Sequence, residues 1–497
     1  MPAQLTTRAQ VNGFRFLLRR LDHALVRRDV RMLHDPMRSQ SRSLFIGAVL
    51  GLLGVAGFAI LAFLRPQGAI GDARIVMGKD SGALYVVIPD AGGAITLHSV
   101  LNLASARLIT GSDAAPASVK DTKLGSVPRG PLLGIPGAPA ALPGSGQGAR
   151  SDWTLCDELA LSPTGSAAAT TSATMTVLAG RPALDAHIHA TTHAEALLAK
   201  RGDRIYLIYD GKRAEVDPHD TVMTRVLDLA TQHPRPISAG LLDAAAEAPA
   251  LTPPQIPNAG DPGPGKLSNV PVGGVIAVAG AAHSDRPNLY VVLSNGVQPV
   301  SAFAAQVIRV ADSHGMSEIK TMPPDVLDNM PTVHSLPIDQ FPIDPPKILS
   351  AEEAPDACLS WSKTVGTTQA ASDTPSDRAT VTLLAGSKLP LPDSAKPVPM
   401  AGGGASDHVD SAYVPPSTGE FVQVTGTGAG SARRESLFYV ADNGIRYGVP
   451  DLATAAVLGL EKTPRLAPWA IIGQLVPGPT LSKQDAMVSY DTLPQPN

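Results

Sequence analysis

Twenty-one residues from Leu44 to Leu64, LFIGAVLGLLGVAGFAILAFL, run without a charge between Arg42 and Arg65. At 1.5 Å rise per residue, such a helix covers the roughly 30 Å hydrocarbon core of a bilayer, so the pattern predicts one transmembrane helix over 44–64. Gly47, Gly51, Gly54 and Gly57 would weaken a soluble helix, but lipid tolerates them. Gly47 and Gly51 form a small-xxx-small pair suited to close helix packing. The competing reading is a secretory signal peptide. Its apolar region is usually about 7–15 residues close to the N-terminus, whereas 43 residues come first here. No second stretch matches this hydrophobicity over about 18 residues, so the chain is expected to cross once.

Ahead of the span, apolar residues recur at helical spacing. Val11, Phe14, Leu18, Leu21, Leu25 and Met32 fall three, four or seven apart, with Arg15, Arg19, Arg27 and Arg31 on other faces. The pattern predicts a basic amphipathic arm over 1–43, lying on anionic lipid or docked on a cytoplasmic partner. A nucleic-acid surface is disfavoured, because the basic run is short and not interleaved with exposed aromatics.

Beyond the span the pattern changes to alternation, and four stretches share one outline. They are LYVVIPDAGGAITLHSVLNLASARL from Leu84, IYLIYDGKRAEVDPHDTVMTRVLDLA from Ile205, LYVVLSNGVQPVSAFAAQVIRVA from Leu289 and LFYVADNGIRYGVPDLATAAVLGL from Leu437. Each reads as a strand, a Gly turn, a second strand and a helix. The turns are Gly92–Gly93, Asp210–Gly211, Asn295–Gly296 and Asn443–Gly444, and the Asp-Gly and Asn-Gly pairs suit a type I′ hairpin. A second duplication lies between them. Cys156 is followed by TVLAG at 176–180 and Cys358 by TLLAG at 382–386, while Trp153 precedes the first cysteine by three and Trp361 follows the second by three. The expected fold is α+β. An amphipathic helix and a transmembrane helix precede a duplicated central β domain and four small ββα modules. The expected boundaries are 78–126, 181–248, 275–335 and 433–490 for the modules, and 145–180 and 350–426 for the two β halves. Irregular spacing argues against a tight solenoid.

Composition sharpens the topology. The net charge of -4 hides nine Arg and three Asp in residues 1–43, which is +6 and leaves -10 for residues 44–497. A basic arm before the span and an acidic body after it place the N-terminus in the cytoplasm and residues 65–497 across the membrane. The chain has two cysteines, both beyond the span. In an oxidising compartment such a pair reads as one disulfide, Cys156–Cys358; the alternative is two buried thiols. Gly and Pro number 46 each, concentrated in connectors near 127–150, 249–274 and 387–416 that read as linkers or surface loops.

The search for chemistry returns few constellations. GDPGPGKL at 260–267 has Gly260, Gly265 and Lys266 at P-loop spacing, but Leu267 stands where Ser or Thr would bind Mg²⁺, and Pro262 and Pro264 lack amide donors. It reads as a linker. Asp185, His187, His189 and His193 lie within nine residues as DAHIHATTH. His-x-His on a strand is a metal-ligand geometry, but no distant ligand set completes it, and exposed histidines before a helix are expected instead. Ser360 and Lys363 match a short Ser-x-x-Lys pattern, and Arg433–Arg434 could meet an anion at a loop tip. No catalytic residue, cofactor or metal is expected.

Longer blocks carry a resemblance. TTRAQVNGFRFLLRRLDHALVRRDVRMLHDP, SGALYVV at 81–87, LNLASARLITG at 101–111, PRGPLLGIPGAP at 128–139 and APWAIIGQLVPGPTLSKQDAMVSYDTLP at 467–494 resemble the EccB family of the mycobacterial and actinobacterial type VII (ESX) secretion systems. The resemblance runs nearly end to end. It implies an inner-membrane core complex with EccC (an FtsK/SpoIIIE-type ATPase), EccD and EccE. It also implies an elongated periplasmic β domain flanked by four repeats and a disulfide between the two cysteines. The family is sometimes labelled an ATPase, a label the imperfect 260–266 loop does not support. The leading expectation is a structural component of the secretion core. The alternatives are an ATP hydrolase coupled to secretion and a cell-wall-binding protein.

Overall fold

A computed structural model of the chain describes residues 7–28, 30, 36–64, 70–89, 92–279, 287–364, 378–401 and 409–491. These fall into two compact units, Met1–Ala73 with Met77–Gly82 and Ala117–Val127, and Arg74–Val76 with Ala83–Pro116 and Pro128–Asn497.

In the first unit the arm forms the helix Arg8–Arg27. The Gln10 side chain accepts the Thr7 amide at 2.9 Å, as in a capping box, and Arg28 ends the helix in the left-handed region at φ 55°. Phe14, Leu18, Leu21 and Leu25 are all exposed; the expected continuation to Met32 lies outside the described residues. The second helix, Pro36–Leu64, starts before the expected span. Within it Arg42–Ile60 has a mean hydropathy of 2.3, long and apolar enough to cross a membrane.

The second unit is mostly sheet. Each of the four similar stretches forms two antiparallel strands and a helix. They are Leu84–Pro89, Ile95–Val100 and Leu103–Thr110; Arg204–Tyr209, Lys212–Val216 and Thr221–Val226; Asn288–Leu293, Gly296–Pro299 and Ala302–Ala311; and Leu437–Ala441, Ile445–Val449 and Leu452–Val457. Every one of these helices is capped by a side chain that accepts its first free amides: Asn102, Asp220, Ser301 and Asp451.

The turns differ from the type I′ expectation. Only Asp210–Gly211 has both central residues at positive φ, 47° and 71°. At Asn443–Gly444 the turn is one residue longer, with Gly444 alone at φ 79° and its amide on the Ala441 carbonyl at 3.0 Å. The extra residue, Asp442, lets an ordinary right-handed turn precede the glycine.

The stretches share cores in pairs. Val86, Leu108 and Ile109 pack with Tyr439, Val449 and Leu458 in one cluster, and Leu207, Ala214 and Met223 pack with Val291, Phe303 and Ile308 in another. A sheet ordered Val398–Pro399, Ser411–Tyr413, Thr174–Ala179, Arg150–Glu158, Asp356–Thr364, Thr380–Gly386 and Ile188–Ala190 lies between them in sequence.

Two expected boundaries separate strands that pair. Gly419–Thr425, placed in the second β half, pairs with Leu437–Ala441, and Ile188–Ala190, placed in a module, pairs with Thr380–Gly386. The connectors are not loose. Leu267, Val270 and Val272 in 249–274 are fully buried, as are Leu133 and Ile135 in 127–150 nearly so, while Leu389 and Leu391 of 387–416 pack on the disulfide. Pro and Gly set the backbone of these segments, but their interspersed aliphatic residues bury as any others do.

Candidate functional site

Arg150–Glu158 and Asp356–Thr364 are antiparallel over nine residues, in a register that sets Trp153 opposite Trp361 and Cys156 opposite Cys358. Alternation then sorts the pair into two faces. Trp153, Leu155, Leu359 and Trp361 face a large core under the helices Ala239–Ala244 and Trp469–Ile472. Asp152, Thr154, Cys156 and Glu158 face the other way, opposite Ser362, Ser360, Cys358 and Asp356. The cysteines are fully buried and joined as a disulfide between adjacent strands.

The polar face has a cavity towards each end of this pair. One of about 340 Å³ is lined by Arg150, Asp152 and Tyr413; another of about 580 Å³ is lined by Glu158, Asp356, Lys388 and Asp393. Arg150 grips Asp152 with two bonds of 2.9 Å, and Ser362 joins both. At the opposite end Asp356 is directly across from Glu158. Burial, and then the Glu158 charge, push the Asp356 carboxyl up to about 7.

On the tryptophan face, Asp157 is 1% exposed and accepts the Ser238 amide at 2.7 Å. Burial raises it to about 6 against the pull of the Ser238 bond and the Arg235 charge. Arg235, also buried, donates to the Ala354 carbonyl at 2.6 Å and the Pro355 carbonyl at 2.5 Å, and desolvation lowers it to about 10. This fork pins the strand Arg235–Pro236 to the entry of Asp356–Thr364. Nothing in the spacing of Asp157 and Arg235 marked them in the sequence; only the fold buries both.

The sequence candidates are dispersed. Gly260 and Gly263 spend their amides on Val272 and Val270, and the Gly265–Leu267 turn is a single 3-10 turn that opens no longer helix. Lys266 donates to the Asp325 carbonyl and lies 3.7 Å and 4.0 Å from the Asp325 and Asp328 carboxylates. His187 lies one residue before the short strand Ile188–Ala190 and His189 within it, and His193 precedes the strand Glu195–Arg201, not a helix. His189 is 3.6 Å from Glu195, His193 is 2.7 Å from Asp210, and Asp185 is 2.6 Å from Lys388. Among the described residues no group of three His, Cys, Asp or Glu side chains is placed to hold an ion. Ser360 and Lys363 are three apart on one strand, hence on opposite faces, and Ser360 accepts the Thr154 hydroxyl at 3.1 Å. Arg433 and Arg434 lie exposed, the latter bonded to the Ser431 and Arg433 carbonyls.

Comparison with known proteins bears on the whole chain. A family model described as "Type VII secretion system ESX-1, transport TM domain B" matches residues 3–495. The chain is 37% identical over 502 residues to "ESX-3 secretion system ATPase EccB3" of Mycolicibacterium smegmatis, covering 98% of this chain and 91% of that one. It is 36% identical over 500 residues to "ESX-1 secretion system ATPase EccB1" of Mycobacterium tuberculosis, covering 99% and 97%. Among solved structures, a chain of an intact ESX-5 inner membrane complex superposes with a TM-score of 0.69 at 33% identity, covering 100% of this chain and 98% of that chain. An EccB3 dimer from the ESX-3 core complex gives 0.68 at 33% identity, covering 84% and 100%.

Proposed function

The chain belongs to the EccB family, and from that premise we propose that it is a structural component of a type VII secretion complex in the inner membrane. The observation that carries this reading is the likeness, along its whole length, to a chain solved inside an ESX inner membrane complex. In this reading the apolar helix anchors the protein, residues 1–43 lie in the cytoplasm, and residues 65–497 are periplasmic. EccC-, EccD- and EccE-like subunits are its partners. The second unit contains a duplicated β centre with four ββα modules, and the shared cores favour treating the modules as two pairs.

The decisive experiment is purification in mild detergent through a C-terminal tag, with mass spectrometry and native gels on what comes with it. An FtsK-like ATPase and a multi-span subunit in one large particle are expected. A lone monomer or dimer would sink the proposal.

We assign the 260–267 loop a packing role. The amides of Gly260, Asp261, Gly263 and Leu267 are bonded to backbone carbonyls, Pro262 and Pro264 have none, and the lysine is held by Asp325 and Asp328, which leaves little to cradle a phosphate. Lys266→Ala is therefore expected to leave the ATP turnover of purified complex unchanged. A loss of turnover in a variant that still assembles would restore the nucleotide reading.

A further inference from the structure

The paired strands Arg150–Glu158 and Asp356–Thr364 end their polar face on two carboxyls, with Glu158 directly opposite Asp356. Side chains that face each other in this way stand about 4.5–5.5 Å apart at Cβ, and like charges there repel. The fold does not neutralise Asp356 locally. The residue is 7% exposed, and among the described residues no hydrogen bond or ion pair reaches its carboxyl. Arg235 acts on it through space alone, because that guanidinium donates to the Ala354 and Pro355 carbonyls.

Asp356 is nevertheless not sealed in the core. One Asp157 oxygen and the Trp361 indole nitrogen are shut off from solvent without a partner. The Asp356 carboxyl, by contrast, forms part of the wall of the cavity of about 580 Å³, with Glu158 beside it. That volume is within the range of small-ligand sites. A buried acceptor left without a donor destabilises the fold, and here a donor could reach it from the cavity. Lys388, in the same wall, does not serve: its ammonium is 2.6 Å from Asp185 and 3.1 Å from Asp393. Glu158 has one oxygen on the Thr176 hydroxyl at 2.7 Å.

These groups constrain the ligand. Two facing carboxyls disfavour an anion and call for a cation. A bare metal ion is poorly matched, since among the described residues no three His, Cys, Asp or Glu side chains gather around one point. The remaining wall is apolar, with Pro355, Leu389, Leu391 and Pro397. A cation on an alkyl stem meets both kinds of wall. Of the two such side chains, the arginine guanidinium presents parallel donors to both oxygens of a carboxylate and is more weakly hydrated than an ammonium. We propose that this cavity receives an arginine side chain of another protein chain, its guanidinium forked on Asp356 beside Glu158 and its stem against Leu389, Leu391 and Pro355. The site is independent of the family-level assembly role, which stands if this proposal fails.

The test titrates full-length protein in detergent with N-acetyl-arginine methylamide, followed by calorimetry. The lysine analogue, the uncharged citrulline analogue and calcium chloride are the comparisons. The arginine compound is expected to bind saturably at millimolar concentration or below, the lysine compound at least several-fold more weakly, and the citrulline compound not at all. Asp356→Asn should weaken arginine binding tenfold or more without lowering the melting temperature, since the carboxyl has no bond to lose. Glu158→Gln should weaken it several-fold, and keeps the test valid if the asparagine variant fails to fold. Sedimentation then tells the source of the arginine: a smaller species with Asp356→Asn assigns it to a second copy of this chain, and an unchanged one to a different protein. The proposal falls if the arginine compound does not bind, if the citrulline compound binds as well, if calcium alone saturates the site, or if both variants bind like the wild type.

Discussion

At the scale of single residues, the second unit stakes most on a few buried charges. Asp157 and Asp356 hold their protons more tightly folded than unfolded, with carboxyls raised to about 6 and about 7 from 3.8. Between about pH 4 and 7 the native chain therefore binds more protons than the unfolded one, and linkage makes stability fall as pH rises through that window and level off above it. Asp185 works in the opposite sense but at lower pH, because its hydrogen bond with Lys388 holds it below the usual value. Thermal melts at pH 5, 6 and 7 should show a declining midpoint, and Asp356→Asn should flatten the upper half of the decline. A midpoint that climbs over this range would refute the assignment. Arg235 belongs to the same group: removing it orphans the Ala354 carbonyl, takes the shorter of two bonds from the Pro355 carbonyl and removes a countercharge from Asp157. Arg235→Met should cost about 3–5 kcal/mol in denaturant unfolding, the range for breaking one side of a buried ionic arrangement. Such residues are hard to read in a sequence, since Asp157 and Arg235 are 78 apart and an isolated Asp or Arg looks like any solvated one.

At the scale of elements, the paired strands around Cys156 and Cys358 explain what the sequence could reveal. Trp153 lies three residues before one cysteine and Trp361 three after the other, the mirrored spacing that an antiparallel pair centred on the disulfide requires. The pattern was therefore legible as two related halves, though not as adjacent strands. The four hairpins were legible for a similar reason, because alternation and a glycine turn are local signals. So were their helix starts in principle: Asn102, Asp220, Ser301 and Asp451 each cap the helix that follows the second strand, a capping signal the apolar spacing alone did not use. The connectors misled because Pro and Gly report backbone conformation, not burial. For the disulfide itself, the loop of 202 residues would be worth about 5 kcal/mol in the chain-entropy model. Nine paired residues also hold these two strands together, so Cys156→Ser with Cys358→Ser should fold but melt at lower denaturant. Both sulfurs are fully buried, so the disulfide should resist reductant in the native protein without denaturant and be reduced only as the chain unfolds. Rapid reduction of the native protein would contradict this burial.

At the scale of the whole second unit, the contacts are nested. The stretch beginning at Leu84 shares its core with the one beginning at Leu437, Arg150–Glu158 pairs with Asp356–Thr364, and the Arg204–Tyr209 hairpin shares its core with Asn288–Leu293. Each inner pair thus closes within the outer one, and specific bonds reinforce the sharing. Arg107 donates to the Leu458 carbonyl at 2.6 Å, and Tyr209 donates to the Gln340 carbonyl at 2.6 Å. No local pattern encodes which modules share a core, because that depends on faces brought together from 84 residues apart (Leu207 and Val291) or 353 apart (Val86 and Tyr439). The nesting makes a definite statement about cooperativity: a module that buries its apolar face only against its partner cannot stay closed alone. In native-state hydrogen exchange, the amides of Leu103–Thr110 and Leu452–Val457 should open with one common free energy, and those of Thr221–Val226 and Ala302–Ala311 with a second. Leu458→Ala, in the outer core, should lower the first by about 2–5 kcal/mol as a buried large-to-small change. It should lower protection of the Leu103–Thr110 helix, some 350 residues away in sequence, as much as that of its own helix. It should leave the Ala302–Ala311 helix unchanged. If instead protection falls only in the helix next to the mutation, the modules open singly, and the paired cores are packing without cooperative consequence.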